Sequence, residues 1–177
     1  MRNHREAMTA LIDQTRKQRD QYAHGEDRPL GGYLATLTTY SGLVASLALL
    51  ARATGRDIPE QLSTSDVIRC ALATHKLSRL LAKDPVTSPL RAPFTSYEGT
   101  SGPAELSEQV RGQGGRKTVG ELVTCPFCAG VWVATGLTAG LVYLPRTTRL
   151  ATATLSALAG ADLLQFAHAL LEQAAEN

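Results

Sequence analysis

The chain has 177 residues, 44% of them hydrophobic and 19% charged, with eighteen Lys and Arg against sixteen Asp and Glu. That length bounds it to one domain of ordinary size, the apolar content excludes a disordered tail, and an excess of two positive charges is too small for nucleic-acid binding through bulk charge. Three cysteines, one close pair and one single, are too few for a secreted disulfide scaffold.

Residues 1–30 read as a polar N-terminal arm with no apolar signal-peptide core and no small-residue cleavage site. Within it, Glu6 to Tyr22 has the spacing of a charged surface helix, with Ala7, Leu11 and Ile12 as a thin apolar stripe. Residues 31–177 read as a helical membrane domain. Tyr33 to Ala51 carries no charge, and at about 1.5 Å per residue it is long enough to cross a hydrocarbon core of roughly 30 Å. Its Thr and Ser hydroxyls can bond back to the preceding helical turn, which makes them tolerable in lipid. Arg52 and Arg56 close the run.

Ser65 to Lys83 follows a Ser63-Thr64-Ser65 cap signal, with Asp66 in the first turn, and is predicted as a helix. Arg69, Lys76, Arg79 and Lys83 form a basic stripe, which suits a helix at the membrane surface or one that spans only in part. The central segment from Asp84 to Glu121 opens with Pro85, Pro89 and Pro93, so it is expected as an extended or turning strip. A carboxylate suits a helix C-terminus poorly, so Asp84 is expected to pair with Arg91 or Arg79. Tyr97 to Lys117 is expected as an exposed loop with a short helical piece around Ala104 to Val110.

Two more charge-free or sparsely charged runs follow, Leu122 to Pro145 and Leu150 to Leu171. Gly136 and Gly140 in the first, and Ala153, Ala157 and Ala161 in the second, have the four-residue spacing that lets helix backbones approach closely. Asp162 opposes membrane insertion, because a carboxylate at mid-membrane costs roughly 2.5–3.5 kcal/mol. It would need to face the bundle interior, hold a proton, or find a partner such as His168. Soluble bundles usually keep a charged stripe along each helix, so charge-free runs between basic flanks favour lipid. The expected fold is therefore all-α: a membrane bundle of three or four transmembrane or interfacial helices with a Pro-rich central loop. Basic residues concentrate in the arm and the central segment, which places both, and the N-terminus, on the cytoplasmic side of a multi-pass cell-membrane protein with four crossings preferred.

Cys125-Pro126-Phe127-Cys128 admits three readings. Cys125 could attack as a thiolate with Cys128 resolving, as in dithiol oxidoreductases. Both could bind Zn²⁺, which needs two further ligands from Cys70, His75, Glu121 or a second subunit. Or the thiols could simply pack a helix start at the membrane interface, with Pro126 fixing the first turn.

The helix end Thr74 to Asp84, the strip Val86 to Phe94, and Gly120 to Trp132 occur in that order and together resemble the family catalogued as domain of unknown function 1360. The resemblance covers about residues 65–171. It implies a small bacterial integral membrane protein, with some relatives described as sporulation proteins and no enzymatic activity established. Its recurring positions fall here on Arg79, Asp84, Thr87, Arg91, Pro93, Glu121, Cys125, Pro126, Cys128 and Trp132. The leading functional expectation is a non-enzymatic protein acting through assembly or partner binding, with no cofactor, the bilayer as its surroundings, and a second copy or another membrane protein as partner. In it, Arg79, Asp84, Arg91 and Glu121 clasp loops beside the thiols. The alternatives are a membrane-associated dithiol oxidoreductase and a dimer closed by zinc.

Overall fold

The computed structural model describes residues 2–26 and 28–176. In chain order the elements are α1 (Arg2–Ala23), α2 (Leu30–Ala53), α3 (Thr64–Lys83), a 3₁₀ turn (Pro85–Thr87), α4 (Ser88–Arg91), β1 (Thr95–Gly102), β2 (Glu105–Val110), α5 (Gly115–Thr124), α6 (Pro126–Tyr143) and α7 (Pro145–Glu176). Three helices, α2, α6 and α7, are long and apolar enough to cross a membrane by length and composition. The chain is thus mostly helical but not all-α. In α1 the side chains of Ala7 and Leu11 lie outside the described residues, while Met8 and Ile12 are exposed.

The expected loop over 97–117, with its short helix, is instead largely an antiparallel hairpin. Thr95 pairs with Val110, Tyr97 with Glu108 and Gly102 with Glu105. Pro103 and Ala104 make its turn, with Ala104 at φ +57°. The residues 104–110 that could propagate a helix are held by cross-strand bonds to β1, where Thr95, Ser96 and Tyr97 favour extended backbone.

The basic helix α3 is central to the packing. It packs against both α6 and α7, and its buried residues are small or paired: Asp66, Ala73, Ser78 and Ala82. Its N-cap is Ser63, whose Oγ accepts from the Asp66 N–H at 3.1 Å, as the cap signal predicts. Arg149 of α7 reaches Asp66 at 3.1 Å, Ser156 Oγ donates to the Arg69 carbonyl at 3.0 Å, and Lys76 Nζ lies 2.6 Å from Asp162 Oδ2. These three links fix α7 parallel to α3. Gly130 of α6 faces Thr74 and Ser78, so α6 runs antiparallel to both. Tyr40 bonds Thr135 at 2.8 Å, and the Tyr143 hydroxyl donates to the Leu47 carbonyl, so α2 runs parallel to α6. One end of the bundle therefore gathers the start of α2 and the whole segment 84–124. The other gathers 54–63 and the α6–α7 turn.

Asp162 finds Lys76 as its partner and not His168, which sits 3.2 Å from Glu172 one turn on. Of the small-residue spacings, only one glycine matters for packing. A Cβ on Gly140 would meet Thr148 Oγ1 at 2.6 Å, whereas one on Gly136 meets nothing. In α7 the packed face runs through Thr148, Thr152 and Ala159, and Ala153, Ala157 and Ala161 point outward. The charge pairs to α3 set that rotation, and a stripe of alanines has no comparable hold. The run beginning at Leu122 is also broken: Leu122, Val123 and Thr124 belong to the end of α5, and Cys125 is extended (φ −100°, ψ 108°) because Pro126 disfavours helical backbone before it.

Burial in this fold is inverted. The buried apolar residues are Ala51, Ala73, Ala82, Ala159 and Leu141, joined by Thr118, Thr148 and Thr152. Large side chains point outward along the apolar helices, among them Leu34, Leu37 and Leu49 on α2 and Leu150, Leu163, Leu164 and Leu170 on α7.

Candidate functional site

The motif positions gather where α3 ends. Pro85 has no N–H to continue the helix, and Asp84 turns to extended backbone (ψ 138°) as the C-cap. Its carboxylate does not pair with arginine. Oδ1 accepts from the Val86 N–H at 2.8 Å and so starts the 3₁₀ turn. Thr87 Oγ1 donates back to the Leu80 carbonyl, and Asp84 O lies 3.0 Å from it.

Arg91 fills the space beneath this turn and is 1% exposed. Its Nη1 donates to the Leu81 carbonyl at 2.8 Å and to Thr87 Oγ1 at 2.6 Å, and its Nη2 to the Asp84 carbonyl at 3.1 Å. Its Nε bonds Glu108 of β2, whose side chain is 6% exposed. A guanidinium suits this place because its planar fork can satisfy helix-end carbonyls and a carboxylate at once, where the helix dipole favours a cation. Arg79, one turn before the end of α3, pairs with Glu105 of the same strand. Arg111 and Arg116 hold the strip from outside by donating to the carbonyls of Ala92 and Pro93.

Glu121, Trp132 and the thiols serve other contacts. Glu121 accepts from the Tyr33 hydroxyl of α2 at 2.5 Å. Beside it Gly32 and Thr118 approach too closely for any Cβ at Gly32. Trp132 meets Tyr40 edge-on with centroids 5.3 Å apart. Pro126 is the first residue of α6. There Cys125 Sγ accepts from the Cys128 N–H at 3.2 Å and lies 2.7 Å from Cys128 Sγ, with both thiols free.

The structure thus brings together Arg79, Asp84, Thr87, Arg91 and Pro93, sets Glu121 and Trp132 against α2, and leaves the cysteines hydrogen-bonded to each other at the start of α6. Sequence reasoning missed Glu105, Glu108, Tyr33 and Tyr40. Glu108 had one available signal, since a buried arginine in this segment needs a carboxylate and Asp84 is used as a cap. Chemically the clasp is saturated. Among the described residues no buried side-chain polar atom lacks a partner, and no three His, Cys, Asp or Glu converge as metal ligands. A shallow apolar groove of about 340 Å³ lies apart from it, between α2 and α6, lined by Tyr40, Val44, Leu47 and Thr135.

A family model described as a protein of unknown function, DUF1360, matches residues 70–168, which contain α3 from Cys70 on, the clasp, the thiol pair and most of α7. The chain belongs to the DUF1360 family. It is also 35% identical over 71 residues to the sporulation protein YjcA of Bacillus subtilis (strain 168), a match covering 38% of this chain and 60% of that relative. The chain therefore spans less than two thirds of that relative's length. No solved structure matches. The DUF1360 match includes every motif position named above, so the resemblance read from three sequence blocks and the family model cover the same part of the fold.

Proposed function

We propose that this DUF1360 protein is a multi-pass cell-membrane protein that acts through assembly or partner binding, with its motif cluster as a structural clasp. The observation that carries this reading is the inverted burial. Water-soluble bundles hide their Leu and Phe, but here alanine and threonine fill the interior while the large apolar side chains face outward. Helix association in lipid has that pattern, because lipid is as apolar as leucine and close backbone approach supplies the attraction. The pairs Asp66–Arg149 and Lys76–Asp162 support α3 as a fourth crossing, since each neutralises a charge on α3 against one on α7.

In this reading the arm and the 84–124 segment share the cytoplasmic side, and 54–63 with the α6–α7 turn faces out, in keeping with the concentration of basic residues in the former. The clasp fastens the hairpin to the cytoplasmic end of α3 through the Arg91–Glu108 and Arg79–Glu105 pairs. A role in sporulation enters through the name of the Bacillus relative, and spore yield after gene deletion tests it. The topology is tested in cells with a membrane-impermeant maleimide, after Cys70, Cys125 and Cys128 are changed to Ser. A cysteine at Gln61 is expected to react and one at Ser101 only after permeabilisation. Equal reactivity of the two would overturn the reading.

A further inference from the structure

Among the motif positions outside the clasp are the two thiols. We propose that Cys125 and Cys128 form a dithiol–disulfide couple that exchanges electrons with a thiol or disulfide partner at the clasp end of the bundle. The two sulfurs lie 2.7 Å apart, within reach of a bond between them. Cys125 Sγ receives the Cys128 S–H and, at 3.2 Å, the Cys128 N–H. Both donors point at the sulfur that would carry negative charge, and it caps the N-terminus of an 18-residue helix. The break imposed before Pro126 aims that sulfur back across the first turn. Cys128 is exposed, and Phe127 beside it is 89% exposed, so a partner can reach the pair.

Two observations favour exchange over the other uses of the motif within one chain, and a zinc site shared by two copies is an outcome of the test below. Packing against the rest of the chain calls for burial, and neither thiol is buried. Four-coordinate zinc calls for two more ligands, and among the described residues no third His, Cys, Asp or Glu joins the pair.

The exchange balances with the partner disulfide as oxidant. The Cys125 thiolate attacks one sulfur of that disulfide, the partner's sulfur–sulfur bond breaks, and one partner thiolate leaves with the electron pair and takes up a proton. Cys128 then yields its proton, and its sulfur attacks Cys125 Sγ in the mixed disulfide, expelling the second partner thiolate. Two thiols are oxidised to one disulfide, one partner disulfide is reduced to two thiols, and a partner dithiol runs the sequence backward.

The test uses the full chain in detergent micelles, equilibrated with mixtures of reduced and oxidised glutathione, quenched with a maleimide and weighed intact. The expected result is one two-electron transition to an intrachain disulfide, unchanged in Cys70→Ser. In Cys128→Ser it is replaced by a glutathione adduct that stops on Cys125. The proposal is overturned if both thiols stay alkylatable in the most oxidising mixture, if the disulfide bridges two copies, or if the thiols react only after a chelator removes a bound metal.

Discussion

Arg91 shows how much of this protein depends on one side chain. It is fully buried, joins two helix-end carbonyls and a threonine hydroxyl, and reaches across to a carboxylate on the hairpin. Removing one partner of a buried ion pair leaves the other charge without compensation, at a cost of about 3–5 kcal/mol. Glu108→Ala is accordingly expected to lower stability by about that amount in a detergent unfolding titration. Arg91→Met combined with Glu108→Leu should recover only part of the loss, because the desolvation cost of both charges disappears while the Leu81 and Asp84 carbonyls lose their donor. Arg91→Lys should behave like a partial deletion, since one ammonium cannot reach the Leu81 and Asp84 carbonyls and Glu108 together. Of this site, Arg91 and Asp84 were legible in the sequence as motif positions beside prolines. Their bonding was not. Asp84 sits one residue before Pro85, so its nearest free donor is the Val86 N–H, and Glu108 meets Arg91 only through a strand register that no local pattern announces.

Among the elements, the hairpin departs furthest from the sequence reading, and α3 shows what a charge stripe conceals. The stripe of α3 looks like a surface helix because one chain position does not reveal which distant charge will meet it. Asp162 of α7 takes Lys76 of the stripe from 86 residues away, Glu105 takes Arg79, and Asp66 at the start of α3 takes Arg149, 83 residues on, so the helix becomes the centre of the bundle. Hydrogen bonds to charged groups contribute about 1.5–3 kcal/mol, so Lys76→Met is expected to destabilise by about 2 kcal/mol. The double variant Lys76→Met with Asp162→Leu should return most of it, as read by thermal unfolding in detergent. The hairpin was missed because its turn lacks the usual glycine. Ala104 adopts φ +57°, where a Cβ costs roughly 1–2 kcal/mol. Ala104→Gly should therefore raise hairpin stability by about 1 kcal/mol and slow amide exchange in β1 and β2. No change in those amides would contradict the strain assigned to this turn.

For the molecule as a whole, the long apolar runs were legible because charge-free length is a property of composition, and the three apolar helices follow them closely. The order of packing was not, because small residues allow close approach without choosing it. Gly140 is used against Thr148 and Gly136 is not, and α7 turns its alanine stripe away from the bundle. The central claim is that lipid surrounds the outward-facing leucines of α2 and α7, and its most direct test is fractionation. Broken cells expressing the unmodified chain are washed with alkaline carbonate and centrifuged at high speed without detergent, and the chain is followed by immunoblot. The account predicts that it stays in the membrane pellet and moves to the supernatant only when detergent is added. Recovery in the detergent-free supernatant as a monodisperse species would contradict it.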